Sequence, residues 1–146
     1  MGNIQGKVWG STVMVAQTKD VEMAHIRVKP SSYCSKHLHQ FKNNIFYCLK
    51  GIMIIEVWKA DRAGNIDETV LMPGASTEVY AGEYHRFKTP TIETLRQHFP
   101  DWSEHDRIEV IELYTRPAIN PLDIVREEGK GGGSLYTVNL EEVKNG

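Results

Sequence analysis

Short runs rich in Val, Ile, Thr and aromatic residues, cut by Gly, Pro, Asn and Asp, recur along the chain and predict strands near 11–17, 21–29, 33–39, 44–50, 52–59, 67–72, 76–80, 85–89 and 107–115. Many short strands at this spacing point to an all-β sandwich or closed barrel. Leu49-Lys50-Gly51-Ile52 reads as a tight turn, in which Gly51 supplies the positive φ of a hairpin while Ile45 to Leu49 pairs with Ile52 to Trp58. Asp61-Arg62-Ala63-Gly64-Asn65 reads as a longer hairpin loop. One short helix is expected at Ile92 to His98, capped by Thr91 and closed by Pro100, in the connection before the last strand.

Ile52-Met53-Ile54-Ile55 and Ile108 to Leu113 are apolar on both faces. A barrel has one inside, so the second face must be covered by the N-terminal strand, by the other sheet or by a second subunit, and a homodimer is expected. The 146 residues suit one domain, read as residues 1–128, followed by a glycine-rich tail over 129–146 that is expected to be flexible or docked on a neighbour. A net charge of -2 with 25% charged residues carries no bias toward a polyanion, so nucleic acid is not an expected partner. No apolar run approaches the roughly 20 residues of a membrane helix. Met1 to Gly10 lacks the order of a signal peptide, so a cytoplasmic protein acting on a small molecule is expected. Cys34 and Cys48 are too few for a disulfide framework and read as reduced thiols.

Candidate chemistry starts at Cys34-Ser35-Lys36-His37-Leu38-His39. Alternate side chains of a strand share a face, so His37 and His39 point one way and Leu38 the other, offering two imidazoles to one ion. The chain then runs four residues to Asn44 and six more to Gly51, and later five residues from Gly74 to Tyr80-Ala81-Gly82 and two more to His85.

This spacing resembles the two motifs of the cupin superfamily: His-x-His followed by Glu and Gly, then Gly followed by Pro-x-Gly and His. The resemblance implies a single-domain cupin β-barrel, the double-stranded β-helix or jelly roll, with a short helix in one connection. It also implies one divalent transition metal, Fe, Mn, Zn, Ni or Co, held by His37, His39 and His85. The departures are Asn44 for the ligand Glu, Tyr80 for Pro, and Ser31 where the first motif opens with Gly. Asn44 can ligate through its amide oxygen but brings no charge. Three neutral imidazoles then leave the full 2+ charge in the site, which favours an anionic ligand. The alternative is a barrel that keeps the histidines, bonded to backbone or water, without a metal.

Gly6-Lys7-Val8-Trp9-Gly10, His85-Arg86, Val110-Ile111-Glu112-Leu113 and Asp123-Ile124-Val125-Arg126-Glu127 are similar, in order, to the cupin domain of type II mannose-6-phosphate isomerases, which is also the C-terminal domain of mannose-1-phosphate guanylyltransferases. That family has Gln-x-His where this chain has His37-x-His39, Arg at Lys42 and Glu at Asn44. The resemblance implies aldose-ketose isomerisation of a sugar phosphate, with a metal to polarise the carbonyl and a base to move a proton. Glu112 is the candidate base; its other reading is an outward carboxylate paired with Lys or Arg. Lys42, Arg86 and Arg126 are the candidate cations for phosphate, although Arg86, next to His85 in a strand, should face away. A three-histidine site without carboxylate also resembles Fe(II) thiol dioxygenases, and a non-catalytic metabolite-binding cupin is a third reading. Cys48 shares strand parity with Asn44 and should be a core residue, Cys34 should lie on the outer face, and His98 and His105 are loop histidines, read as a lid or plain surface.

Overall fold

The computed structural model describes residues 4–59, 65–115, 124–126 and 132–133. The elements are β1 (Ile4–Lys7), β2 (Gly10–Gln17), β3 (Val21–Val28), β4 (Ser32–Tyr33), β5 (His37–His39), β6 (Asn43–Lys50), β7 (Met53–Trp58), β8 (Ile66–Leu71), β9 (Ser76–Val79), β10 (Tyr84–Lys88), α1 (Ile92–His98), β11 (Ile108–Thr115), β12 (Ile124–Arg126) and β13 (Gly132–Gly133). They form two antiparallel sheets. One runs β1-β2-β3-β11-β6-β9. In the other, β7 pairs along the whole of β10 and carries β8, so β4 and β5 share the opposite edge of β10, with β13 on β4 and β12 on β5.

The inner faces follow the alternation of each strand. Ile26 and Val28 of β3, Phe46 and Cys48 of β6, and Ile108 and Val110 of β11 point into one core. Met53 and Ile55 of β7 and Phe87 of β10 meet them from the second sheet. The helix begins at the expected cap, where the Thr91 hydroxyl accepts from the Thr94 N–H at 3.2 Å, and it ends at Phe99 before Pro100. Its single buried side chain, Leu95, joins Trp102 and Ile52 to close one end of the core. Gly51 has φ +82, and a Cβ there would meet Ile108 and Trp102 at 2.9 Å, but the turn carries the chain from one sheet to the other: β6 pairs with β11 and β9 and β7 with β10 and β8, so the expected hairpin between Ile45–Leu49 and Ile52–Trp58 does not form. No helix among the described residues is long and apolar enough to cross a membrane.

Further features differ from expectation. An additional strand, β1, folds back on β2, and Gly10 is needed there because a Cβ would stand 1.9 Å from the Arg27 carbonyl oxygen. The expected strand over 33–39 is broken between Tyr33 and His37. In the break the Cys34 thiol accepts from the Phe87 N–H at 3.2 Å, while the Cys34 N–H donates to the Phe87 carbonyl at 3.1 Å. Face parity does not propagate through non-strand backbone, so Cys34 is buried in the core and not on the outer face. Within the glycine run of the tail, Gly132–Gly133 forms β13 against β4; the rest of 129–146 and the Asp61–Gly64 loop lie outside the described residues.

Candidate metal centre

β5 presents His37 and His39 inward with Leu38 on the other face, as the parity requires. β10 runs antiparallel beside it, and His85 is the direct register partner of His37. Directly opposed residues share a face, so the pairing brings the third histidine, 46 positions after His39, to the other two. Ring centroids are 4.5 Å apart for His37 and His85, 5.1 Å for His37 and His39, and 5.5 Å for His39 and His85. One ligand atom from each lies within 4.8 Å of the other two.

Backbone carbonyls set the tautomer of two rings. His37 Nδ1 bonds the Ser35 carbonyl, and His85 Nδ1 bonds the Glu83 carbonyl at 3.0 Å. A carbonyl only accepts, so each Nδ1 carries the hydrogen and the neutral ring keeps its lone pair at Nε2, the form a metal requires. Burial pushes the His85 imidazole below its ordinary pKa, against the Glu83 carbonyl and carboxylate, so it is neutral at pH 7. Among the described residues, His85 Nε2 and the Asn44 amide oxygen are buried with no protein hydrogen-bond partner. An electron-pair donor in that state is costly unless something accepts the pair, and a cation does so. Three imidazoles and an amide oxygen suit a divalent transition metal, and the residues fit one.

Behind the triad lies a polar row on the inner face of the β1-β2-β3-β11-β6-β9 sheet. Tyr114 of β11 stands opposite both Glu22 of β3 and Asn44 of β6, and Glu112 occupies the next inward position along β11. Asn44 Nδ2 donates to Glu112 Oε2 at 3.1 Å. Burial pushes the Glu112 carboxyl up to about 7, opposed by the neighbouring Tyr114 hydroxyl and the Lys42 ammonium, and reinforced by Glu22. Lys42 is buried with Nζ 3.8 Å from the centroid of the Tyr114 ring, and that ring is 5.4 Å from the ring of His39. Glu22 is raised by burial, partly offset by Lys42, and accepts from Gln17 Nε2 at 3.5 Å.

Of the sequence candidates, His37, His39, His85, Asn44, Glu112 and Lys42 therefore converge. The inward carboxylate reading of Glu112 holds, because it shares parity with the buried Ile108 and Val110. Arg86 is a correction. It lies on the face of β10 opposite His85, its Nε donates to Glu56 Oε1 at 2.8 Å, and its guanidinium lies 5.4 Å from the Trp58 ring. Arg126 is placed by backbone register alone, opposite His37 where β12 pairs with β5. Tyr114 and Glu22 were not anticipated. Tyr114 shared the parity of Glu112 and could have been found by it, whereas Glu22 needed the β3–β11 register. His98 and His105 are exposed.

The second-motif loop is tied to the site by Gly82 N–H to the His39 carbonyl and Ala81 N–H to Asn43 Oδ1, both at 2.8 Å. Gly74 and Gly82 have φ +92 and +87, and Ser31 has φ 56. All three stand where the cupin motifs have glycine, and Ser31 takes the left-handed conformation without being one.

No protein-family model matches the chain, and no curated protein matches it in sequence. Solved structures do. Oxalate decarboxylase from Bacillus subtilis superposes with a TM-score of 0.66 at 11% identity, over 85% of this chain and 29% of that one. The capsular polysaccharide assembling protein CapF from Staphylococcus aureus gives 0.66 at 17% identity, over 86% of this chain and 31% of its own. KdgF from Halomonas sp. gives 0.54 at 17% identity, over 72% and 78%. The chain thus spans about a third of the oxalate decarboxylase and CapF chains. These likenesses establish the fold, the cupin β-barrel.

Proposed function

We propose that this chain is a metal-dependent cupin acting on a small oxygenated metabolite, and that aldose-ketose isomerisation of a sugar phosphate is the reaction its site supports best. His37, His39, His85 and the Asn44 amide oxygen would hold one divalent ion. Polarisation of a carbonyl and the neighbouring hydroxyl is the chemistry such an ion supplies when bound. The observation that carries the reading is Glu112, a half-buried inward carboxyl whose Oε2 accepts from Asn44 Nδ2 at 3.1 Å, one hydrogen bond from the proposed ligands. A carboxylate so placed takes a proton from carbon and returns it to the adjacent carbon. Lys42, and Arg126 from the strand beside His37, are the cations proposed for the phosphate.

Asn44 favours a second reading. A site of neutral donors alone suits an Fe(II) dioxygenase, whose turnover consumes oxygen. Metal-loaded protein assayed with hexose phosphates under nitrogen should interconvert aldose and ketose, and Glu112→Gln should lose about 100-fold or more of kcat. Oxygen uptake dependent on Fe(II) and a thiol or diketone, without isomerisation, would replace the first reading by the second.

We also propose that a second copy covers the outer face of the β1-β2-β3-β11-β6-β9 sheet, where Tyr47 and Leu49 are 41% and 45% exposed. A dimer mass by light scattering is expected; a monomer mass independent of concentration would count against it.

A further inference from the structure

We propose that Glu112 is also a positioning residue for the metal centre: acting through Asn44, it keeps the amide oxygen available as a fourth ligand and carries, one hydrogen bond out, the negative charge that the ligand set lacks. The inference rests on the metal reading above.

An asparagine amide has two ends of nearly equal size, and only the oxygen can ligate. A carboxylate accepts and does not donate when ionised, so it selects the NH2 end. In this structure it has done so, with Asn44 Nδ2 on Glu112 Oε2 at 3.1 Å and the Asn44 oxygen buried without a partner. Cross-strand placement makes the contact specific. Tyr114 lies directly opposite Asn44, and Glu112, two residues before it on the same face, reaches Asn44 diagonally. Tyr114, on the same face of β11 as Glu112, packs its ring against His39, so the supporting residues touch two of the four donors. A carboxylate bonded to a ligand also raises the electron density the ligand offers, an effect that costs about 10- to 100-fold in metal affinity when the outer partner is removed. The cupin glutamate absent at position 44 is thus replaced by an amide and a carboxylate in series.

Titration with Co(II), followed by its visible absorption bands, tests this without reference to turnover. Wild type should bind one Co(II). Glu112→Gln, which keeps an acceptor but loses the charge, should bind about 10-fold more weakly, and Glu112→Ala up to about 100-fold more weakly with shifted bands. The double exchange Asn44→Asp with Glu112→Gln moves the carboxylate to the ligand position and should restore affinity to the wild-type level or beyond. Folded single variants that bind Co(II) with wild-type affinity and spectrum would overturn the inference while leaving the metal reading intact. Failure of the wild type to bind Co(II) would remove both. If Glu112→Ala does not fold, the near-isosteric Gln variant and the double exchange decide.

Discussion

The two ends of the barrel are built from the same strands and the same inward-facing positions, yet they hold opposite chemistry. At one end β3, β6 and β11 contribute Val28, Cys48 and Ile108, and the helix and Trp102 close over them. At the other end the same strands contribute Glu22, Asn44, Glu112 and Tyr114, faced by His37, His39 and His85. Strand alternation sends both sets inward; it does not distinguish the ends. The apolar end gains free energy from being dry and close-packed, whereas the polar end spends part of that gain on buried groups that only a bound partner satisfies.

The largest effect expected within the fold comes from the apolar end. Ile108→Ala, which removes a fully buried side chain, should lower stability by about 2–5 kcal/mol in chemical denaturation while leaving the metal affinity of the folded fraction unchanged. A loss of affinity beyond the loss of folded protein would mean that the ends are coupled, and the comparison would fail.

A smaller effect belongs to the polar end and depends on pH. Glu112 titrates at about 7 in the folded protein, against 4.5 for the free side chain, so the folded state holds its proton more tightly than the unfolded one. Its contribution to stability is complete below pH 4.5 and is lost as pH rises through about 7. In chelator-treated protein, melting temperature should therefore fall between pH 5 and 8, and Glu112→Gln should flatten that fall. An equally steep fall in the variant would place the titrating group elsewhere.

The smallest effect concerns the backbone. Ser31→Gly relieves a left-handed residue at φ 56 and should stabilise the protein by about 0.5–1 kcal/mol, with no change in metal affinity.

How much of this was legible follows from the range of each signal. The helix was legible to the residue because Thr91, its periodic side chains and Pro100 are local. The shared face of His37 and His39, and that of Glu112 with the core, were legible from parity within one strand. His85 was found through the spacing of a motif and not through periodicity, since strand pairing across the 48 positions from His37 to His85 leaves no local mark. Glu22 escaped for the same reason, because it belongs to the site only through the β3–β11 register, whereas Tyr114 shares the parity of Glu112 within β11 and was legible there. Cys34 was misread because its thiol replaces a carbonyl as the acceptor for Phe87, ending the strand whose parity had been extrapolated. Among the cation candidates, the outward position of Arg86 was legible from its parity with His85, and it pairs with Glu56 there, whereas a role toward phosphate leaves no local mark at Lys42 or Arg126.

The central claim, that the polar end is a metal site, is tested most directly by elemental analysis of the purified full chain beside its His37→Ala, His85→Ala double variant, each loaded in turn with Fe(II), Mn(II), Co(II), Ni(II) and Zn(II). The account predicts close to one equivalent of a divalent transition metal in the wild type and almost none in a double variant that still folds. A wild type without stoichiometric metal under every loading, or a double variant that retains it, would contradict the account.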